Sequence, residues 1–419
     1  MVNHETRTIE EVTEALIDYR GKTPPKHESG VRLITAKVIK DGFIREERAE
    51  YISDKTYSLW MSRGYPKQYD IVITTEAPLG EVAQLRSTEK IALAQRVILL
   101  RGNPKIIDQQ FYYQVLKSPF VQAGLMKRAT GTTVLGIKQS ELRQVAIPYY
   151  SLPTQRKIAA ILSAYDDLIE NNLKRIKILE DMAQNLYREW FVKFRFPGWQ
   201  NSHFIESPLG RIPEGWECGV INELLSLKSG FAFKSGTFRE SGAYGLITIK
   251  NVQDGGFVPD CTNRISDLPP KMPIYCLLAT GDVLLSLTGN IGRVCLVYGT
   301  NFLLNQRVAK LVPKEASNRA YIYFTFRQDE FQTKLTKIAN GVAQQNLSPI
   351  ETGKLPVVLP AMEVLNNFAA ICEPVCEQIT SLFSKNSILR RTSELLLPKL
   401  ISGEVDVSEL DIQVPEENL

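Results

Sequence analysis

Apolar residues recur along two stretches of this 419-residue chain at steps alternating between four and three. The first carries Ile158, Leu162, Tyr165, Ile169, Asn172, Ile176, Leu179, Ala183, Leu186 and Trp190. The second carries Phe368, Cys372, Val375, Ile379, Leu382, Asn386, Leu389, Ser393 and Leu396. That period is the seam of a helix packed on another helix, not the broader stripe of a surface helix. The first stretch, Pro153 to Phe194, predicts a helix roughly 60 Å long, which Pro197-Gly198-Trp199 stops. The second starts after Pro360 and ends near Gly403; Pro374 lies inside it and is expected to kink or split its first turns. Asn172 and Asn386 each occupy a seam position. Either they are buried amides that fix register, or they sit at an exposed edge of the seam.

Displaced by 210 residues, the two seams are in phase. Other islands repeat in the same order. Leu33-Ile34-Thr35-Ala36-Lys37 returns as Leu246-Ile247-Thr248-Ile249-Lys250, and Asp70–Gly80 as Asp282–Gly292. Gln95-Arg96-Val97 returns as Gln306-Arg307-Val308, and Ala159-Ala160-Ile161 as Ala369-Ala370-Ile371. The chain is a tandem duplication. Ahead of each seam lie short β-branched and aromatic runs between turn residues, which read as strands: Asp70–Thr75, Arg96–Leu100, Asp282–Leu287 and Val308–Val312. Helical pieces such as Ile107–Lys117 and Arg319–Leu335 are interspersed. The expected fold class is α+β: two β-rich globular domains separated by two long helices that form an antiparallel coiled coil, with an internal pseudo-two-fold repeat. The boundaries expected are 1–150 for the first domain, 151–196 for the central helix, 197–358 for the second domain, 359–407 for the C-terminal helix, and 408–419 for a tail.

Composition narrows the chemistry. With 44% apolar and 23% charged residues the chain is globular. No uninterrupted apolar run is long enough for a membrane span, and the start shows no secretory signal, so a cytoplasmic protein is expected. A net charge of +4 permits local nucleic-acid patches without arguing for them. The histidines His4, His27 and His203 have no metal-ligand spacing and no triad partners. The six cysteines all fall in the second half without a Cys-x-x-Cys pair, and read as reduced apolar fillers. There is no phosphate loop. Leu268-Pro269-Pro270-Lys271 lacks the amide or carboxylate of an amino-methyltransferase motif, and Gly289-Asn290-Ile291-Gly292 is not a dinucleotide fingerprint. By elimination the chain binds or scaffolds.

Two similar but non-identical units suit a split, asymmetric target, and DNA is the natural candidate. In the first unit the candidate contacts are Lys22, Lys26, Lys37, Thr74, Thr75, Gln95, Arg96, Lys127, Arg128, Thr130, Thr132 and Thr133. In the second they are Lys228, Lys234, Lys250, Ser286, Thr288, Asn290, Arg293, Asn305, Gln306, Arg307, Asn340, Gln344 and Gln345. Arg and Lys reach phosphates and guanine, Asn and Gln pair with adenine, and hydroxyls serve either. Ala129–Thr133 and Ala339–Gln345 are turns that differ between the copies, as base readers should. Gln95-Arg96 and Gln306-Arg307 are identical, which fits a structural or phosphate role. A coiled-coil scaffold that binds only protein, or a divergent nuclease or methylase, remain as alternatives.

Leu152-Pro153-Thr154-Gln155-Arg156-Lys157-Ile158-Ala159-Ala160-Ile161-Leu162-Ser163, followed by Asp166-Asp167-Leu168-Ile169-Glu170-Asn171-Asn172, strongly resembles the central helix of specificity subunits of type I restriction–modification systems. Leu397-Pro398-Lys399-Leu400-Ile401-Ser402-Gly403-Glu404 resembles the end of that family's second helix. The second helix here departs at its start, Leu359-Pro360-Ala361-Met362-Glu363, which lacks the Gln-Arg of the first. The resemblance implies two target-recognition domains reading the halves of a bipartite site on double-stranded DNA, and a chain without catalysis or cofactor of its own. It implies two methyltransferase subunits and restriction/translocase subunits as partners, and S-adenosylmethionine, ATP and Mg in those partners.

Overall fold

The computed structural model describes residues 5–19, 21, 23–45, 49–339 and 346–414. They form two compact units, one of Met1–Ile169 with Leu389–Leu419 and the other of Glu170–Ile388.

In the first unit the strands are β1 (Thr13–Asp18), β2 (Val31–Ile34), β3 (Glu50–Ile52), β4 (Ile71–Thr75), β5 (Leu79–Gln84), β6 (Ile91–Leu93) and β7 (Val97–Gly102). An antiparallel sheet has the order β1-β7-β4-β5; a smaller one, β3-β2-β6, pairs β2 and β6 in parallel. Alternate residues of β4 and β7 serve two cores. Ile71, Ile73, Ile98 and Leu100 pack on helices α1 (Gln109–Lys117) and α2 (Pro119–Arg128). Val72, Val97 and Leu99 pack on the smaller sheet. A strand buried on both faces needs a continuous apolar run, which is what β4 and β7 carry.

The second unit repeats this plan. Its strands are β8 (Leu225–Ser229), β9 (Tyr244–Ile247), β10 (Arg264–Ile265), β11 (Leu277–Leu278), β12 (Val283–Ser286), β13 (Val294–Leu296), β14 (Phe302–Leu304) and β15 (Val308–Pro313). The sheets are β8-β15-β12-β13, antiparallel, and β10-β9-β14-β11, with β9 and β14 parallel. The segment expected as one helix over Arg319–Leu335 is two, Asn318–Phe326 and Asp329–Ala339. Gln332 caps the break: its Nε2 donates to the Phe326 carbonyl at 2.5 Å and to Gly292 at 2.6 Å, satisfying an acceptor that a continuous helix would use itself. Gln122 makes the same pair of bonds in the first unit, to Leu116 and Gly80, both at 2.9 Å.

The two long helices are α3 (Leu152–Tyr187, continued by a π turn over Arg188–Val192) and a 40-residue helix Met362–Ile401, here called the C-terminal helix. They run antiparallel within each unit. In the first unit Ile158, Ala159 and Leu162 share a core with Leu397, Leu400 and Ile401. In the second, Trp190 and Phe191 meet Phe368, and Asn172 donates to Asn386 at 2.8 Å. Both amides are buried, so they belong to the register-fixing alternative and not to an exposed edge. Of the two outcomes expected at Pro374, a split does not occur: the helix is continuous through it. Its ring points to solvent while Phe368, Cys372 and Cys376 on either side are buried. That anchoring offsets the cost of a mid-helix proline, about 3 kcal/mol.

The missing Gln-Arg at the start of the C-terminal helix also has a physical account. Gln155 is fully buried; it accepts from Asp108 N–H at 2.8 Å and donates to the Tyr150 and Ile106 carbonyls. Its counterpart Leu365 instead fills the apolar core. Cys276, Cys295, Cys372 and Cys376 are buried free thiols, and burial pushes the Cys372 thiol up to about 12.

Candidate nucleic-acid interface

Two backbone crossings build the site in the first unit. The Thr75 N–H at the end of β4 donates to the Arg96 carbonyl at 3.0 Å, and Ile137 N–H donates to the Thr75 carbonyl at 2.9 Å. The loop 130–136 is closed at its base by reciprocal bonds between Thr130 and Gly136, 2.8 and 2.9 Å. Gly131 is required inside it: φ is +122°, and a side chain would begin 2.2 Å from the Val134 carbonyl oxygen. The closed loop holds Thr132, Thr133, Val134 and Leu135 in solvent. Between loop and strand ends lies a cleft of about 300 Å³ lined by Thr75, Glu76, Gln95, Arg96, Thr130 and Lys138, among others. Arg96 Nε is paired with Glu76 Oε1 at 2.7 Å, both side chains being nearly half exposed. A pair this wet contributes little to stability, so both groups stay available to a ligand.

The cleft brings together Thr75, Gln95, Arg96 and Thr130 from the sequence-based set, with Thr132 on the adjoining loop. Thr74 is a correction: it lies on a strand buried on both faces, and its Oγ1 accepts from the Glu81 N–H at 2.9 Å, which turns it away from the cleft; Thr75 is also largely buried but lines the cleft floor. Arg128 is exposed and pairs with Glu141 at 2.9 Å; Lys37 is exposed. Lys26 pairs with Glu50, also at 2.9 Å. Lys22 lies outside the described residues.

The second unit repeats the frame. Leu287 N–H donates to the Arg307 carbonyl at 3.0 Å and Leu347 N–H to the Leu287 carbonyl at 2.8 Å. The bridge between Glu76 and Gly136 recurs between Thr288 and Asn346. Gln306, Arg307, Lys234, Lys250 and Asn290 are exposed. The Asn290 carbonyl accepts from Ser286 Oγ, which itself accepts from Arg293 N–H at 3.1 Å, so this turn is tied internally. The Arg293 guanidinium bonds Gln253. Asn340, Gln344 and Gln345 lie outside the described residues.

Glu76 was absent from the sequence-based set, which was assembled from donors and hydroxyls. The available signal was the one position inside a repeated island where a carboxylate in one copy meets a hydroxyl in the other. Among the described residues no cluster of His, Cys, Asp and Glu could hold a metal ion, and no helix is long and apolar enough to cross a membrane.

A family model described as the type I restriction modification DNA specificity domain matches residues 1–181 and 213–382. The type I restriction enzyme MjaIX specificity subunit of Methanocaldococcus jannaschii is 27% identical over 369 residues, 86% of this chain and 82% of its own. The MjaVIII specificity subunit of the same organism is 25% identical, over 77% of this chain and 76% of its own. The crystal structure of a type I restriction–modification S subunit from M. genitalium shares the fold, with a TM-score of 0.56 at 18% identity, over 95% of this chain and 96% of that one.

Proposed function

The chain belongs to the type I restriction–modification DNA specificity family, and on that premise we propose that it reads a bipartite, asymmetric DNA sequence, one half with each β-rich domain. It is a specificity subunit, the non-catalytic DNA-recognition component of a restriction–modification complex. The observation that carries the bipartite reading is the repeated frame with unequal contents. Both copies tie the residue at the end of the central strand to an arginine's carbonyl in the same way, and then set different side chains around that arginine. Identical frames position two readers alike on a duplex, while different side chains give them different half-sites.

In this reading Arg96, Arg307, Gln95 and Gln306 engage the backbone of the duplex, and the loops beside them read base edges. Two methyltransferase subunits dock on the chain, with restriction/translocase subunits joining through them, in the cytoplasm. S-adenosylmethionine, ATP and Mg belong to those subunits. The methyltransferase acts on an adenine in each half-site, which must leave the stack to be reached.

The test is an exchange of residues 1–150 for those of a relative, in a chain co-expressed with its methyltransferase, with adenine methylation mapped across the host genome. One half of the methylated sequence should change and the other stay. A change in both halves would refute the assignment of one half-site to each domain.

A further inference from the structure

The island shared by Asp70–Gly80 and Asp282–Gly292 keeps its backbone bonds, and at one matched pair among its differences a charge is gained or lost. Position 76 is a carboxylate opposite a glycine, Gly136; its counterpart is a hydroxyl, Thr288, opposite an amide, Asn346. The frame itself does not call for a carboxylate, because Arg307 holds the place of Arg96 with Thr288 beside it. The backbone frame is thus compatible with either residue at this position.

A carboxylate is a poor choice for a cleft that binds a polyanion. Phosphate oxygens repel it, and the rest of this cleft offers Arg96, Lys138, the Gln95 amide and the Thr130 hydroxyl. It has a use where it accepts a hydrogen bond from an exocyclic amino group on a base edge. The geometry suits that use. Oε1 is held by Arg96 Nε at 2.7 Å, and Oε2 lies 3.3 Å from where a side chain at Gly136 would begin, so the glycine leaves space beside it. The loop carrying Gly136 is closed by its own backbone bonds, which keeps that space fixed.

We infer that Glu76 determines base identity at one position of the first half-site, accepting a hydrogen bond from an exocyclic amino group while Arg96 holds the carboxylate in place. The amino group is N4 of cytosine or N6 of adenine. This rests on the reading that the first domain reads one half-site.

The experiment co-expresses the full chain, as wild type, Glu76→Gln and Glu76→Ala, with its methyltransferase, and maps methylated sites by long-read sequencing. Wild type supplies the reference sequence; if it yields no bipartite sequence, the functional reading itself fails, and Glu76 with it. If Glu76 reads a base, both variants relax one position of one half-site, with roughly tenfold or more loss of discrimination there. The other half-site and the gap stay as in wild type. Cytosine at the relaxed position identifies N4 as the donor, and adenine identifies N6. Unchanged discrimination at every position overturns the inference. So does loss of all methylation by a complex that assembles as wild type does, because Glu76 would then serve the frame and not the base. Competition binding with duplexes altered at that position gives a second readout: the penalty seen with wild type should vanish with Glu76→Gln.

Discussion

The two β-rich domains rest on the long helices through the same residue position and opposite choices of partner. In the first unit Lys117 on α1 pairs with Asp166, on the helix that follows its own domain, at 3.4 Å, and Gln114 donates to the same carboxylate at 2.6 Å. In the second unit the counterpart of Lys117 is Arg327, which pairs at 2.9 Å with Glu180, on the helix belonging to the other copy. The position matching Asp166 is Cys376, and the position matching Glu180 is Arg390. Duplication preserved the backbone and left each copy to find its own carboxylate. A repeated fold therefore need not repeat its charge network, and the two junctions should fail differently.

The largest expected effect separates them. Arg327→Met leaves Glu180, whose side chain is only 18% exposed, with no cation and only the long 3.4 Å bond from the Tyr323 hydroxyl, and should cost about 3 kcal/mol. Lys117→Met leaves Asp166 its bond from Gln114 and should cost roughly 1–2 kcal/mol. Chemical denaturation that resolves the two units measures both; equal losses would break the comparison. Next in size is the seam. Asn172→Leu removes the bond to Asn386 and should cost about 1–3 kcal/mol, whereas the double variant Asn172→Leu/Asn386→Ile should recover most of it. Failure of the second substitution to restore stability would show that the amides do more than satisfy each other.

The smallest effects are on pH. Burial pushes the Glu180 carboxyl above the usual carboxylate range despite Arg327. Between that range and its raised value the folded state keeps a proton the unfolded state releases, so stability falls as pH rises through the window. Glu180→Gln should flatten that slope. Burial pushes the Lys117 ammonium down despite Asp166. Between its lowered value and the ordinary lysine range the unfolded state binds the extra proton, so stability rises with pH, and Lys117→Met should remove the rise. Melting temperature against pH, variant minus wild type, reads both.

What the sequence disclosed was whatever repeats locally. The seams, their phase and the strands themselves follow from spacing alone, and Asn172 and Asn386 were visible as polar residues in apolar registers. Contacts distant in sequence were not visible. The break after Lys117 is announced by Ser118-Pro119, a capping serine with proline at the first helical position, whereas the break after Phe326 is capped by Gln332 reaching back to Phe326 and across to Gly292. Thr74 looked like a surface hydroxyl until its strand proved to have no outer face. Glu76 is not legible as a DNA contact, because a carboxylate repels phosphate, although positions 76 and 288 differ openly between the copies.

The bond between Asn172 and Asn386 also bears on a problem that duplication creates. Two helices of common descent are each other's imitators, and either could pair with the same helix of another molecule. Leu382 occupies the place of Asn172 in the second copy, and Ile176 the place of Asn386 in the first. Within one chain, amide meets amide, while Ile176 and Leu382 share an apolar cluster. Exchange between two molecules, like helix with like, would set each amide against an aliphatic side chain, Asn172 against Ile176 or Asn386 against Leu382. Each exchanged pairing loses its amide partner twice over. A single hydrogen bond thus pairs unlike helix with unlike and penalises like with like.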